Sequence, residues 1–396
     1  MQYFDSPTDF ISYALAATAI LCAAIASYIY ISNTRKVTSL AKRQNEEEIE
    51  PDTTAWPDVS IVVYSYNDVD GLSELLPTLI NQDYPGVYEI IVVNDGADIA
   101  TDNLLTTLEK EHSGLYHTFT PRDTSNLSRK KLALMLGIKA AHHDILHLVT
   151  SESRIPSDNW LKRMTRHFLN PDTQVVIGYA YPDPECDTER GRNRRLHDHL
   201  IDGVCYLGAA IDGDTYRGDG DNLAYRRSLF FANKGFSGSL QLAYGDDDVF
   251  ISEIADRRNT AVEIGDEAQV ATVTEEPAKR FRHKKSRYNF TSKYGKRKRL
   301  RIYSMASIAL WGWLLASLAS IAVAPLNPLS WGINIVTGAA LWIPMVMAWS
   351  KAAERLNSPA FTVSVIPALM LRPLRDFGYR MHRHDIPEPR FTWETF

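Results

Sequence analysis

Two short apolar runs, Val59-Ser60-Ile61-Val62-Val63-Tyr64 and Glu89-Ile90-Ile91-Val92-Val93, each give way within a few residues to a carboxylate, Asp68 and Asp95. A continuous β-branched run is the pattern of a parallel strand buried on both faces, whereas a half-exposed strand alternates. Between the runs Leu72, Leu75, Leu76, Leu79 and Ile80 recur at helical spacing, so the unit reads as strand, helix, strand. Ligands of open α/β sheets gather beyond the C-terminal ends of such strands, where Asn67, Asp68 and Asp95 stand. A nucleotide-type site fits that arrangement. A flavodoxin-like or Rossmann-like sheet with solvated strand-end acids fits it equally.

Two further features account for the length of 396 residues. Residues 10–32 are uncharged and rich in Ala, Ile, Leu and Tyr, which as a helix would reach about 34 Å, enough to cross a hydrocarbon core. Asp5 and Asp9 precede this run and no Lys or Arg does, so it reads as an uncleaved anchor rather than a signal peptide. From Ile302 to Ser350 there is no Asp, Glu, Lys or Arg, and Ala324-Pro325-Leu326-Asn327-Pro328 punctuates the middle. This is the signature of a hairpin of two spans, 302–324 and 329–350, with five Trp of the kind that suits membrane interfaces.

Arg35, Lys36, Lys42 and Arg43 follow the first span, Lys296 to Arg301 is strongly basic before the second, and Lys351 and Arg355 follow the third. The second-to-third connection has no basic residue. All of this puts the middle domain in the cytoplasm and the N-terminus outside, as expected for an inner (cytoplasmic) membrane protein. Twelve of the 43 Lys and Arg crowd into residues 279–301, a stretch without acids in an otherwise acidic chain. Because that stretch abuts a span, anionic lipid headgroups are its expected partner and nucleic acid is not. Cys22, Cys186 and Cys205 lack metal-ligand spacing and read as reduced thiols. His142-His143 and His197-Asp198-His199 have no companion cluster and read as surface or core residues.

The expected organisation is therefore a span over 10–32, an acidic linker over 33–58, and an α/β domain over 59–275. A basic membrane-proximal segment over 276–301, the two spans, and a cytoplasmic tail over 351–396 follow. Within the tail, apolar 361–371 is followed by Arg372, Arg375, Arg380 and Arg383, which suggests an interfacial helix. Inside the domain, helices are expected near 102–115, 127–142 and 159–169, and strands over 144–149 and 174–180.

Late in the domain Gly218-Asp219-Gly220-Asp221-Asn222 precedes Gly245-Asp246-Asp247-Asp248. Three adjacent carboxylates, if enclosed, raise one another's pKa and suit a general base. Acids favoured in the first turn of a helix explain the same triplet. Their order with the other pieces is more telling. Tyr64-Ser65-Tyr66-Asn67-Asp68, Asn81-Gln82-Asp83-Tyr84-Pro85, Val92-Val93-Asn94-Asp95-Gly96-Ala97-Asp98, Lys130 with Ala133-Leu134, Ile155-Pro156 to Leu161, Gly220-x-Asn222 and the acidic triplet follow one another. This series over Val59 to Arg287 resembles the glycosyltransferase family 2 domain, with a GT-A fold, and the chain looks like members with one N-terminal and two C-terminal spans.

The resemblance implies roles residue by residue. Tyr66, Asn67, Asp68 and Asp95 would contact the nucleotide of a nucleotide-sugar donor, and Lys130 would lie near base or phosphate. Asp246 falls on the family's catalytic base, with Asp247 as the alternative because the triplet leaves the register ambiguous. Three departures stand out. The metal motif Asp-x-Asp falls on Thr150-Ser151-Glu152, so Glu152 alone would ligate Mg²⁺ or Mn²⁺, and more weakly. Gln-x-x-Arg-Trp appears as Lys284-Lys285-Ser286-Arg287-Tyr288, where Arg287 would pair with the diphosphate, Tyr288 would stack, and Lys284 would add positive charge. Asp219 and Asp221 make their loop unusually acidic. The expected function is an inverting transfer of sugar, with UDP the preferred carrier, to a membrane-presented or lipid-linked glycan acceptor at the cytoplasmic face. The alternative is a catalytically weak relative that binds donor as a scaffold in a glycan assembly complex.

Overall fold

The computed structural model describes residues 7–48, 55–96, 98–121, 128–240 and 242–381. Part of the expected linker, Ala97, Arg383 and the rest of the tail beyond Met381 lie outside these.

The chain opens with one continuous helix, α1 (Pro7–Glu46). Strands and helices then alternate: β1 (Val59–Ser65), α2 (Val69–Ile80), β2 (Tyr88–Asn94), α3 (Ile99–Glu111), β3 (Leu115–Phe119), α4 (Arg129–Ala140) and β4 (Ile145–Thr150). Next come β5 (Ser153–Arg154), α5 (Trp160–Thr165), β6 (Val175–Ile177), β7 (Ala180–Pro182), the long α6 (Arg192–Ile211), β8 (Leu223–Arg226), α7 (Arg227–Ala232), α8 (Val249–Ile254), β9 (Thr260–Val262) and β10 (Val270–Thr272). Four helices end the described chain: α9 (Pro277–Thr291), α10 (Lys298–Val323), α11 (Pro328–Arg355) and α12 (Val365–Met381).

The main sheet has the order β3-β2-β1-β4-β8-β6-β9, and β5-β10-β7 forms a small second sheet. Strands β3, β2, β1 and β4 run parallel, whereas β8 is antiparallel to both β4 and β6. Alternate residues of the buried strands feed two cores. Val62, Val93 and Leu148 pack with α4 and α6, and Ile61, Val63, Val92 and Val149 pack with α2 and α5. Both faces are covered, which is why the strands are apolar throughout. The register pairs Ser65 with Asn94 and Tyr64 with Thr150, so three strand ends meet at one edge of the sheet.

Three expectations are corrected. The stretch 174–180 is not one strand: β6 ends at Ile177 and β7 enters the other sheet at Ala180. Gly178 lies between them, where a Cβ would come within 2.4 Å of the Asn222 side chain. The helix over 159–169 is α-helical only to Thr165 and finishes as a 3₁₀ turn. The linker does not begin at residue 33. Helix α1 continues to Glu46 because its polar second half is buried on the α/β domain. Asn33 Nδ2 donates to the Val204 carbonyl of α6 at 2.7 Å. Gln44 donates to the Val262 carbonyl and accepts from Ile264 N, extending the edge of β9. Arg163 caps the helix end by donating to the carbonyls of Gln44 and Glu47. The second half of α1 is thus held on the α/β domain by hydrogen bonds at both Asn33 and Gln44.

Helices α1, α10 and α11 are each long and apolar enough to cross a membrane. Helix α1 packs along both of the others. Near its start, the hydroxyls of Ser12, Ser320 and Ser330 meet at 2.8–3.1 Å, small polar residues of the kind that let spans approach closely. Asn327 of the α10–α11 turn donates to Asp9 and Tyr13, so that turn and the start of α1 lie together, away from the α/β domain. Helix α12 buries Val365 and Leu369 and exposes Leu371, Leu374, Phe377 and Met381 along its outer side, an interfacial pattern.

Candidate active site

The strand-end edge is built around Asp95, which is 2 % exposed. Its carboxylate accepts from Tyr64 Oη at 3.2 Å and from Thr120 Oγ1, and pairs with Arg129 at 2.8 Å. The expected nucleotide reader is therefore braced by three side chains. Beside it Asn67 adopts a left-handed backbone, φ 47°, which Asn tolerates better than most residues. Its amide lies over Gly96, where a Cβ would overlap it, and accepts from Asp98 N at 3.2 Å. Asp68 caps α2 through Gly71 N at 2.9 Å, and Tyr66 projects outward, 62 % exposed. These four residues line one rim, with Asp68 performing a structural task as well.

The second group lies where β4, the 218–222 loop, the acidic triplet and α9 converge. Thr150 Oγ1 donates to Asp221 Oδ1 at 2.8 Å, which brings a carboxylate beside the position where the metal motif lacks one. Arg280 of α9 binds Glu152 through one guanidinium nitrogen and lies 3.1 Å from Asp221 Oδ2 through another. Lys284 pairs with Asp219 at 3.1 Å. Lys130 pairs with Asp246 at 2.8 Å, and Arg287 with Asp247 at 2.6 Å. Tyr288 Oη donates to the same Asp247 oxygen at 2.9 Å. Gly220 makes room: a Cβ there would sit 3.3 Å from both Asp247 Oδ2 and Lys130 Nζ.

The three aspartates of the triplet have different environments. Burial alone would raise the Asp246 carboxyl, but Lys130 and Arg287 outweigh it and hold it well below the usual range. Asp247 is 1 % exposed, and its Oδ1 is buried without a hydrogen-bond partner among the described residues. Asp248 caps α8 through Val249 N at 2.6 Å and accepts from Thr291 Oγ1. Burial and the neighbouring Asp247 push it up to about 6. Lys131, fully buried, donates to the Leu242 carbonyl and Ser239 Oγ, tying α4 to the loop before the triplet, and burial lowers it to about 8.

The basic segment 276–301 does not simply face lipid. Arg280, Lys284, Lys285 and Arg287 turn inward to carboxylates, and Lys298 and Arg299 pair with Asp212 and Asp214. Only part of the charge is left for a membrane surface, because the acids of the domain attract the rest. Sequence reasoning missed Arg129, Arg280 and the tasks of Asp219 and Asp221. The unusual acidity of the 219–221 loop was the available signal, since carboxylates in such number need cations near them. Among the histidines, His199 is buried and bonds the Ala180 carbonyl, and His197 lies against Phe361.

Residues 60–231 match the model of Glycosyl transferase family 2. An N-acetylglucosaminyltransferase of Bradyrhizobium elkanii is 27 % identical over 171 residues, 41 % of this chain and 91 % of that protein. Among solved structures, the mannosyltransferase PcManGT from Pyrobaculum calidifontis, in complex with GDP-Man and Mn²⁺, covers 87 % of this chain and 99 % of its own. It superimposes with a TM-score of 0.50 at 20 % identity, a likeness of fold. Motif order, sheet topology and family match agree that residues 60–231 form a glycosyltransferase family 2 domain, built on the GT-A fold.

Proposed function

We propose that this glycosyltransferase moves a sugar from a nucleotide-diphosphate donor, with UDP preferred, to a membrane-presented or lipid-linked glycan acceptor at the cytoplasmic face of the inner membrane. The observation that carries this reading is the set of cations Lys130, Arg280, Lys284 and Arg287, gathered beside the strand ends and neutralised by the site's own carboxylates. A diphosphate entering there competes for those cations, and Arg287 offers it bidentate binding. Asn67, Asp68, Asp95 and Tyr66 form the rim that would receive the nucleoside.

Asp247 is the better-supported base of the two candidates. Its Oδ1 is buried and accepts no hydrogen bond among the described residues, so it would take a hydroxyl proton once bound donor and acceptor reach it, and its Oδ2 is fixed by Tyr288 and Arg287. Asp246 then serves to hold Lys130. Inversion follows if the acceptor hydroxyl attacks opposite the departing nucleotide diphosphate, with the base within ~3 Å of it.

Glu152 and Asp221 are hard oxygen donors within reach of one guanidinium, a donor set that fits a weak Mg²⁺ or Mn²⁺ site completed by diphosphate and water. A cation bound there would offset charge on the leaving diphosphate. The three apolar helices and the exposed apolar side of α12 support a membrane location.

The test is a donor screen. Membranes containing the protein are given UDP- and GDP-sugars, and released nucleotide diphosphate is measured with and without acceptor-bearing lipid extract. Release from one donor, increased by the extract, is expected. No release from any donor would support the scaffold reading instead.

A further inference from the structure

A cavity of about 750 Å³ lies between α6, α9, α10 and α12. It falls in the size range that buries most of a small ligand. Its two ends differ. Towards the α/β domain it is lined by Arg217, Lys285, Arg372, Asp202 and Tyr288. Towards the spans it is lined by Ile308, Trp311 and Leu315 of α10 and by Phe377 of α12. Positions 308, 311 and 315 share one face of α10. Ile308, Leu315 and Phe377 are 70, 60 and 61 % exposed, so the apolar end opens sideways along a helix read as membrane-spanning.

Arg217 distinguishes the polar end. It is 6 % exposed, and its guanidinium lies between two rings, 4.8 Å from the centroid of Tyr206 and 4.0 Å from that of Tyr288. Its Nε is buried without a hydrogen-bond partner, and no carboxylate among the described residues is within ion-pair distance of it. The neighbouring cations are different: Lys285 and Arg372 are each paired with Asp198 and Asp202. Asp202 and Asp219 act on Arg217 through space but neither pairs with it, so its buried Nε stays unsatisfied, and a bound anion would take up that guanidinium directly. Over the whole lining, five basic residues, Arg217, Lys285, Lys296, Arg372 and Arg380, face three acids, Asp202, Asp248 and Asp376. Tyr288, which stacks on Arg217, is the residue that donates to Asp247, so the polar end adjoins the candidate base.

We propose that this cavity receives a lipid phosphate, with the phosphate on Arg217 and the hydrocarbon tail leaving between α10 and α12 into the bilayer. The inference rests on the membrane-glycosyltransferase reading and gives the acceptor a chemical class: its anchoring end is an anionic amphiphile. An apolar tail alone would not use Arg217, and a free phosphate would not use the sideways opening.

The probe is a hexadecyl phosphate carrying a diazirine in its tail, photolysed in phosphatidylcholine nanodiscs holding the full chain, with labelled peptides mapped by mass spectrometry. Labelling should concentrate on residues 308–315 and around Phe377. It should fall on the order of tenfold with the matching diazirine alcohol and in Arg217→Gln, and largely return in Arg217→Lys. Leu315→Trp, which fills the tail end, should reduce it without touching the charge. Inorganic phosphate at ~10 mM should leave it unchanged. Equal labelling by the alcohol, or displacement by inorganic phosphate, overturns the proposal. So does labelling spread evenly over α1 and α11. The phosphate-against-alcohol comparison uses the wild-type chain, so it decides the matter even if Arg217→Gln does not fold. Labelling needs no turnover: phosphate-dependent labelling without nucleotide-sugar turnover would refute the enzymatic reading alone, and the reverse would refute only the cavity's assignment.

Discussion

Arg280 binds Glu152 where the family resemblance expects a divalent cation, and its other guanidinium nitrogen lies 3.1 Å from Asp221. A guanidinium on these carboxylates occupies lone pairs and repels a divalent cation, so the two compete. Arg280→Ala should therefore tighten Mn²⁺ binding on the order of tenfold, read by electron paramagnetic resonance of free Mn²⁺ without any turnover. Glu152→Gln should weaken it by a similar factor. Unchanged binding in both variants would remove this pair from the metal site.

Asp246 and Asp247 are adjacent but differently held, and substitution should separate them. Asp247→Asn should lower kcat by about 10²–10⁴-fold with little change in donor KM, as for loss of a general base. Asp246→Asn removes the charge that pairs with Lys130 at 2.8 Å, so donor KM should change at least as much as kcat. Initial rates of nucleotide diphosphate release across donor concentrations distinguish the patterns. An exchange of the two profiles would make Asp246 the base.

Much of this site was legible in the sequence for a simple reason: strand-end residues follow from β-branched runs, and the register of neighbouring parallel strands brings Asn94, Ser65 and Thr150 together. The three long apolar helices were legible because uncharged length is itself the constraint. What escaped depends on contacts between distant elements. Asn33 and Gln44 look like residues leaving a membrane, and only the groove beside α6 and β9 makes them interior. Charge runs carry no direction, so the inward turn of Arg280 and Lys284 was invisible. Arg217 needs Tyr206 from one helix and Tyr288 from another, and no spacing announces that.

Asp248 should make stability fall between pH 4 and pH 7. Its pKa is raised to about 6 by burial and by Asp247, so between the ordinary carboxylate range and pH 6 the folded state binds a proton that the unfolded state has lost. Its stabilising contribution is complete below the unfolded pKa and is lost as pH rises through about 6. The amount is at most about 3 kcal/mol. Asp248→Asn keeps an acceptor for Val249 N but cannot titrate. Thermal unfolding in detergent across that pH window should give a flatter profile for the variant than for wild type. Parallel profiles would place the proton elsewhere.

Arg372 should act as the latch of α12. It binds Asp202 and lies 3.7 Å from Asp198 on α6, while Lys285 of α9 reaches the same two acids and Asp376. Burial would raise Asp202, but Arg372 and Lys285 outweigh it and hold it well below the usual range. Arg372→Met leaves Asp198, Asp202 and Asp376 with Lys285 as their one direct ion-pair partner among the described residues, an imbalance that costs about 3–5 kcal/mol where such charges are enclosed. The helix has an alternative to bearing that cost, because its outer side already exposes Leu371, Leu374, Phe377 and Met381 and adds little to its docking. The loss should therefore appear as local undocking. Hydrogen exchange over 365–381 should accelerate on the order of a hundredfold or more, with exchange in β1 and β2 unchanged. Arg372→Met with Asp202→Asn should recover most of the protection, since the second change removes the charge that the first left unpaired. If exchange rises uniformly across the α/β domain, α12 is part of the global folding unit and not a separately latched element.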